Sequence, residues 1–95
     1  MKLTDDQIRQ GLQSVEGWDR NGDEIRKTYQ LESFPAALVF VNTVGHLAEA
    51  ADHHPDILVQ YRTVTLTLST HSAGGLTDKD FNLAAQIDGL PFKAK

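Results

Sequence analysis

At 95 residues with no cysteine, the chain is expected to be one domain over residues 1–95, too small for separate cofactor and substrate lobes and without disulfides, thiolate metal sites or a cysteine nucleophile. Nine Lys and Arg against thirteen Asp and Glu give a formal net charge of −4, which offers no basic footprint for nucleic acid or an anionic membrane. Met1 to Arg20 contain no apolar signal region, and no run approaches the ~18 apolar residues of a membrane span, so a soluble cytoplasmic protein is expected.

In chain order, Thr4-Asp5-Asp6-Gln7 reads as a capping box, with Ile8, Leu12 and Val15 as the apolar stripe of a first helix that Gly17 ends. Trp18 to Arg20, a turn at Asn21-Gly22 and Glu24 to Glu32 predict a hairpin, in which Ile25, Tyr29 and Leu31 occupy alternating apolar positions. Ser33 is the expected N-cap of a long helix, with Pro35 in the first turn where its missing N–H costs little. This helix is predicted from about Phe34 to Asp52, burying Ala37, Phe40, Val44, Leu47 and Ala51 and presenting Asn42, His46, Glu49 and His53 on the opposite face. Pro55 is expected to stop it.

Asp56 to Thr70 has strand composition throughout, yet as one strand it would extend ~50 Å at ~3.3 Å per residue, too long for a domain of this size. It must fold back. Ile57, Val59 and Tyr61 are odd-numbered whereas Val64, Leu66 and Leu68 are even, so the register breaks between Tyr61 and Thr63. The Ser72-Ala73-Gly74-Gly75 loop follows, and Thr77 caps a last helix that buries Leu83, Ala84 and Ile87. The predicted fold class is α+β: a two-layer arrangement with an antiparallel four-stranded sheet packed against three helices in the order α-β-β-α-β-β-α.

Three of the four histidines, His53, His54 and His71, fall within nineteen residues. Histidine is the side chain whose unperturbed pKa permits proton transfer near neutrality. His54 precedes the first strand of the second hairpin and His71 follows the second, so antiparallel pairing brings those ends together. Pro55 pushes His54 toward an extended backbone, so two adjacent imidazoles can face one cleft.

Glu49, His53-His54-Pro55, Tyr61, Ser69-Thr70-His71 and Asp80 resemble the signature of the pterin-4a-carbinolamine dehydratases. Gly17-Trp18, Phe34 and Asp80-Phe81-Asn82-Leu83-Ala84 extend the resemblance over roughly Leu3 to Leu90. The resemblance implies a homodimer or homotetramer that acts as a 4a-hydroxytetrahydrobiopterin dehydratase. Such an enzyme eliminates water from 4a-hydroxytetrahydropterin to give the quinonoid dihydropterin, and so recycles the pterin cofactor of aromatic amino acid hydroxylases. The pterin is then the substrate, and no cofactor or metal is implied. A protein partner such as a hydroxylase is compatible with this role.

The chemistry needs one acid to protonate the departing hydroxyl and one base to take the proton of the adjacent ring nitrogen. Each is worth typically ~10²–10⁴-fold when its pKa lies near the working pH. By resemblance, His53 and His71 form the acid/base pair and His54 binds the pterin and assists, while Glu49, Pro55, Asp80 and Trp18 support the site. Ordinary explanations stand beside these roles. Asp80 is also the acid of a capping box begun by Thr77, Glu49 is either a solvated carboxylate or orients His53, and Trp18 either packs the core or stacks on the pterin. His46, Glu49 and His53 share a helical face, but at i and i+7 the two imidazoles lie about 10 Å apart along the axis, which disfavours a metal site. The alternative function class is a non-catalytic binding, assembly or transcription-cofactor-like homo-oligomer on the same fold, because fold does not fix function.

Overall fold

The structure, a computed structural model, describes residues 1–92; residues 93–95 of the expected single domain lie outside the described residues. Its elements are α1 (Asp5–Gln13), β1 (Asp19–Asn21), β2 (Glu24–Gln30), α2 (Phe34–Ala51), β3 (Asp56–Gln60), β4 (Thr63–Leu68), a 3₁₀ turn at His71–Ala73 and α3 (Asp78–Asp88). The four strands form one antiparallel sheet in the order β1-β2-β4-β3. The expected α+β class and element order are therefore those of the molecule.

Alternation builds the core. Ile25 of β2 and Val64, Leu66 and Leu68 of β4 turn to one face, where they join Ala37, Phe40, Val44 and Ala48 of α2 and Leu83, Ala84 and Ile87 of α3 in a single apolar cluster. Each fully buried large side chain contributes roughly 1.5–3 kcal/mol. Thr28, Thr65 and Thr67 face the other way, so all three helices cover the same side of the sheet. Gly11 seats α1 on α3, because a Cβ there would meet the Phe81 ring at 2.9 Å.

Local chemistry sets the boundaries, and several differ from expectation. The Thr4/Gln7 capping box starts α1, but Ser14 closes it by donating both its N–H and its hydroxyl to the Gly11 carbonyl. Gly17 instead takes a positive φ of 78° in the turn into β1. The first hairpin turns on Gly22-Asp23, one residue later than predicted, with Asn21 still paired to Glu24 and Gly22 at φ 63°. Glycine at the first central position suits a tight two-residue turn. The second hairpin reverses at Tyr61-Arg62, where the parity break placed it, since Gln60 pairs with Thr63.

In α2 the buried stripe is Ala37, Phe40, Val44 and Ala48, whereas Leu47 is half-buried and Ala51 exposed. The 3-4-4 spacing keeps closer to the 3.6-residue period than the expected set, and it turns the last turn's Ala48 rather than Ala51 onto the sheet. By length and mean hydropathy (1.2) this helix alone, among the described residues, qualifies as a membrane span; here it packs one face, Ala37, Phe40, Val44 and Ala48, into the core. Pro55 does not end it. Asp52 does, in the left-handed conformation (φ 51°, ψ 43°).

Candidate active site

The end of α2 decides where the histidines go. The Asp52 N–H bonds the Glu49 carbonyl and the His53 N–H reaches back to the Ala48 carbonyl at 3.0 Å, the paired closure of a Schellman motif. Asp52 occupies the left-handed position usually given to glycine. The chain reverses there, so His53 is already outside the helix rather than on its last turn. Its side chain is turned inward and is only 10% exposed. His54 lies next to Pro55 and projects outward, with more than half of its side chain exposed.

Asp80 receives His53. It sits at the third position of α3, which Thr77 caps, and its Oδ2 accepts the Thr77 N–H at 2.9 Å and the Thr70 hydroxyl at 2.8 Å. Its Oδ1 lies 2.5 Å from His53 Nε2. The carboxylate is 0% exposed, and a buried carboxylate demands full satisfaction by donors. An acceptor-only oxygen at Oδ1 fixes the ring proton on Nε2 and leaves Nδ1 as the free atom of His53. Asp80 is thus the capping-box acid and the partner of His53 at once.

Glu49 pairs with His54, not with His53: its Oε1 lies 2.8 Å from His54 Nε2, and both groups are exposed. The reversal at Asp52 carries His53 off the face where Glu49 stands. His46, Glu49 and His53 are likewise separated, with His46 exposed at the surface.

His71 opens the 3₁₀ turn after β4 and is exposed. β3 pairs with β4 so that Asp56 faces Thr67; continuing that register brings His54 level with Ser69, two residues short of His71. Thr70 completes the link, since its hydroxyl holds the carboxylate that holds His53. The three imidazoles accordingly share one end of the β3–β4 hairpin, one ring fixed by a carboxylate and two open to solvent. Such a set can give and take protons at a bound molecule. A groove lined by Leu31, Glu32, Ala36, Val39, Pro91 and Phe92 lies at the hairpin's other end, where the Leu31 N–H bonds the Arg62 carbonyl.

Trp18 belongs elsewhere. It is 5% exposed, meets Tyr29 edge-on and donates its ring N–H to Asp88 at 3.1 Å. Asp88 stands eight residues beyond Asp80, about 12 Å along α3, so the core-packing reading of Trp18 replaces the stacking one. Asp88 also accepts from Lys27 at 2.9 Å, the Tyr29 hydroxyl at 2.8 Å and the Glu16 N–H at 3.3 Å. Burial alone would raise this carboxyl; the bonds from Lys27, Tyr29, Glu16 and Trp18 hold it below its ordinary value. Tyr29 is pushed far up by burial, then by its bond to Asp88 and the charge of that carboxylate. Sequence reasoning found neither this cluster nor the side-chain role of Thr70.

A family profile described as "Pterin 4 alpha carbinolamine dehydratase" matches residues 1–90. The chain belongs to this family. Among similar proteins, a "Putative pterin-4-alpha-carbinolamine dehydratase" of Roseiflexus castenholzii is 63% identical over 88 residues, covering 93% of this chain and 95% of that protein. One so named from Nocardia farcinica is 59% identical, with 93% of each chain covered. Among solved structures, a "transcriptional coactivator/pterin dehydratase from Brucella Melitensis" superposes with a TM-score of 0.88 at 29% identity, covering 92% of this chain and 95% of that one. A pterin dehydratase-like protein described as a RuBisCO assembly factor in the alpha-carboxysome shares the fold, with a TM-score of 0.65 at 22% identity over 79% of this chain and 89% of that one. The same fold in a protein described as an assembly factor is a reminder that fold alone does not specify catalysis.

Proposed function

We propose that the chain is a 4a-hydroxytetrahydropterin dehydratase, an acid/base hydro-lyase that needs no cofactor. The observation that carries this reading is the buried Asp80 carboxylate on His53 Nε2, at the hairpin end shared with His54 and His71. His53 accepts the proton of the ring nitrogen at Nδ1, and Asp80 stabilises the imidazolium that forms. His71 protonates the neighbouring hydroxyl, which leaves as water while the C=N bond closes. One proton is taken and one is given, so the balance needs no oxidant or metal. His54, with Glu49 on its Nε2, binds the pterin and assists, and Pro55 holds its backbone. In this reading the protein works in the cytoplasm beside an aromatic amino acid hydroxylase, whose spent pterin it restores.

The test is direct. Purified protein added to freshly generated 4a-hydroxytetrahydropterin accelerates quinonoid formation over the spontaneous rate, and His53→Ala and His71→Ala each lose about 10²-fold or more. Background rates from the wild type would end the enzyme reading in favour of a binding or assembly role.

Assembly as a homodimer or homotetramer is part of the proposal. Phe34, Leu38 (47% exposed) and Val39 (54%) leave an apolar strip on α2, and β3 is an edge strand carrying exposed Ile57 and Leu58. Bare apolar surface beside an unpaired edge favours a second copy. Light scattering of the wild type and of Leu38→Glu, at matched concentration, checks it; a monomeric wild type refutes it.

A further inference from the structure

Thr70 is 8% exposed, yet it is a polar residue with both backbone and side chain committed. Its hydroxyl has a single proton, which goes to Asp80 Oδ2 at 2.8 Å. The 2.8 Å contact between the Thr70 and Thr77 hydroxyls therefore has Thr77 as donor. A directed chain results: Thr77 hydroxyl to Thr70 hydroxyl to Asp80 Oδ2, with Oδ1 left for His53. On the main chain, the Thr70 N–H bonds the Gly75 carbonyl at 2.9 Å, and the Thr70 carbonyl accepts from Ala73 at 3.0 Å and Gly75 at 3.3 Å. These bonds close the loop that carries His71.

One residue thus fixes the base of the His71 loop through its backbone and the His53 acceptor through its side chain. Without the hydroxyl, Asp80 Oδ2 keeps only the Thr77 N–H, and the carboxylate loses one of the two donors that hold it toward His53. A shift of Oδ1 away from His53 Nε2 weakens the preference for a proton on that nitrogen, and so for one ring tautomer. We propose that Thr70 is a positioning residue for His53: its hydroxyl holds the Asp80 carboxylate in one orientation, while its backbone closes the loop that carries His71. The kinetic part of this inference rests on the dehydratase reading; the tautomer part does not.

The full chain is compared with Thr70→Val, which keeps the shape and removes the hydroxyl, and Thr70→Ser, which restores it. Nitrogen-15 NMR of the imidazoles, at a pH high enough that the His53 signals no longer move with pH, should show His53 protonated on Nε2 in the wild type and in Thr70→Ser, and a tautomer mixture in Thr70→Val. His54, on Glu49, should not change. In the dehydratase assay, Thr70→Val should lose about tenfold or more in kcat with KM within about twofold, because misplacement rather than binding is the defect. Thr70→Ser should recover most of that loss.

An unchanged His53 tautomer in Thr70→Val overturns the proposal, as does an equal kcat loss in the Ser and Val variants, which would indicate packing alone. If the wild type does not accelerate the reaction, the dehydratase reading fails, and the tautomer pattern alone decides for or against Thr70. Should Thr70→Val not fold, the unmodified chain still answers: the Thr70 hydroxyl proton should exchange slowly and show a cross-peak to Asp80, and rapid averaging with water sinks the proposal.

Discussion

His53 and Asp80 lie 27 residues apart in the chain and 2.5 Å apart in space, joined through Nε2 and Oδ1. The carboxylate that orients the imidazole also caps α3, so the catalytic reading and the folding of a helix share two oxygen atoms. Asp80→Asn keeps the size but turns one acceptor into a donor. Either the NH₂ then faces the Thr77 and Thr70 donors, a mismatch, or it faces His53 Nε2 and the ring must move its proton to Nδ1. Burial makes that mismatch worth roughly 1–3 kcal/mol, which lowers Tm by about 4–8 °C per kcal/mol in a domain of this size. The dehydratase rate should fall by about 10²-fold or more, because the ring loses its fixed tautomer. Thermal melts and rates on the same preparation check both limbs.

Glu49 offers a contrasting case. Its pairing with His54 at 2.8 Å is solvent-exposed, and exposed ion pairs contribute about 0–1 kcal/mol and weaken with salt. Glu49→Gln should leave Tm within about 2 °C while raising KM severalfold, if His54 binds the pterin. Raising ionic strength from about 0.05 to 0.5 M should shift wild-type KM in the same direction and leave the variant nearly flat. Equal salt responses in the two proteins would remove Glu49 from the site.

The contrast between these carboxylates marks how far the sequence could be read. Capping at Thr4, Ser33 and Thr77 and the parity break before Thr63 are local signals, and each appears as expected. The placing of His54 and His71 at the same end of the β3–β4 hairpin followed from hairpin geometry alone. Of the two readings of Glu49, the one that let it orient His53 from one turn earlier does not hold, because Asp52, a single left-handed residue, turns the chain before His53; Glu49 is exposed and pairs with His54. Nothing in the local pattern marks an aspartate that will occupy glycine's usual place. The Asp88 cluster was illegible for another reason: Glu16, Trp18, Lys27 and Tyr29 reach it from 59 to 72 residues away, and no spacing rule encodes that.

That cluster should govern stability at both ends of the pH scale. The folded Asp88 carboxyl holds its proton less tightly than the unfolded one. Its contribution is therefore complete above the unfolded value of ~3.9 and is lost as pH falls through the lowered folded value. Tyr29 is shifted upward, so its contribution is complete below the unfolded value of ~10 and is lost as pH rises beyond it. Urea midpoints against pH should show Asp88→Asn weaker than wild type by roughly 1–3 kcal/mol at pH 7, with the gap closing toward pH 2–3. Tyr29→Phe should cost about 1 kcal/mol at neutrality and lessen the decline above about pH 10. A wild-type/Asp88→Asn gap that stays constant from neutrality into acid would show that the carboxylate charge is not what the cluster uses.

At the hairpin tip, Tyr61 holds a left-handed backbone (φ 55°) with its side chain 71% exposed. A bulky L-residue pays about 1–2 kcal/mol for that conformation, and asparagine tolerates it better. Exposure means that little packing is lost with the ring. Tyr61→Asn should therefore stabilise the isolated fold by about 0.5–1 kcal/mol, seen as a Tm higher by a few degrees. β3 and β4 run five and six residues, which sets this turn about 17 Å from the histidine end at ~3.3 Å per residue. The dehydratase rate should accordingly stay within about twofold of wild type. A lower Tm that depends on protein concentration in the wild type and not in the variant would instead locate Tyr61 in the contact between copies, where the ring's burial offsets the backbone strain.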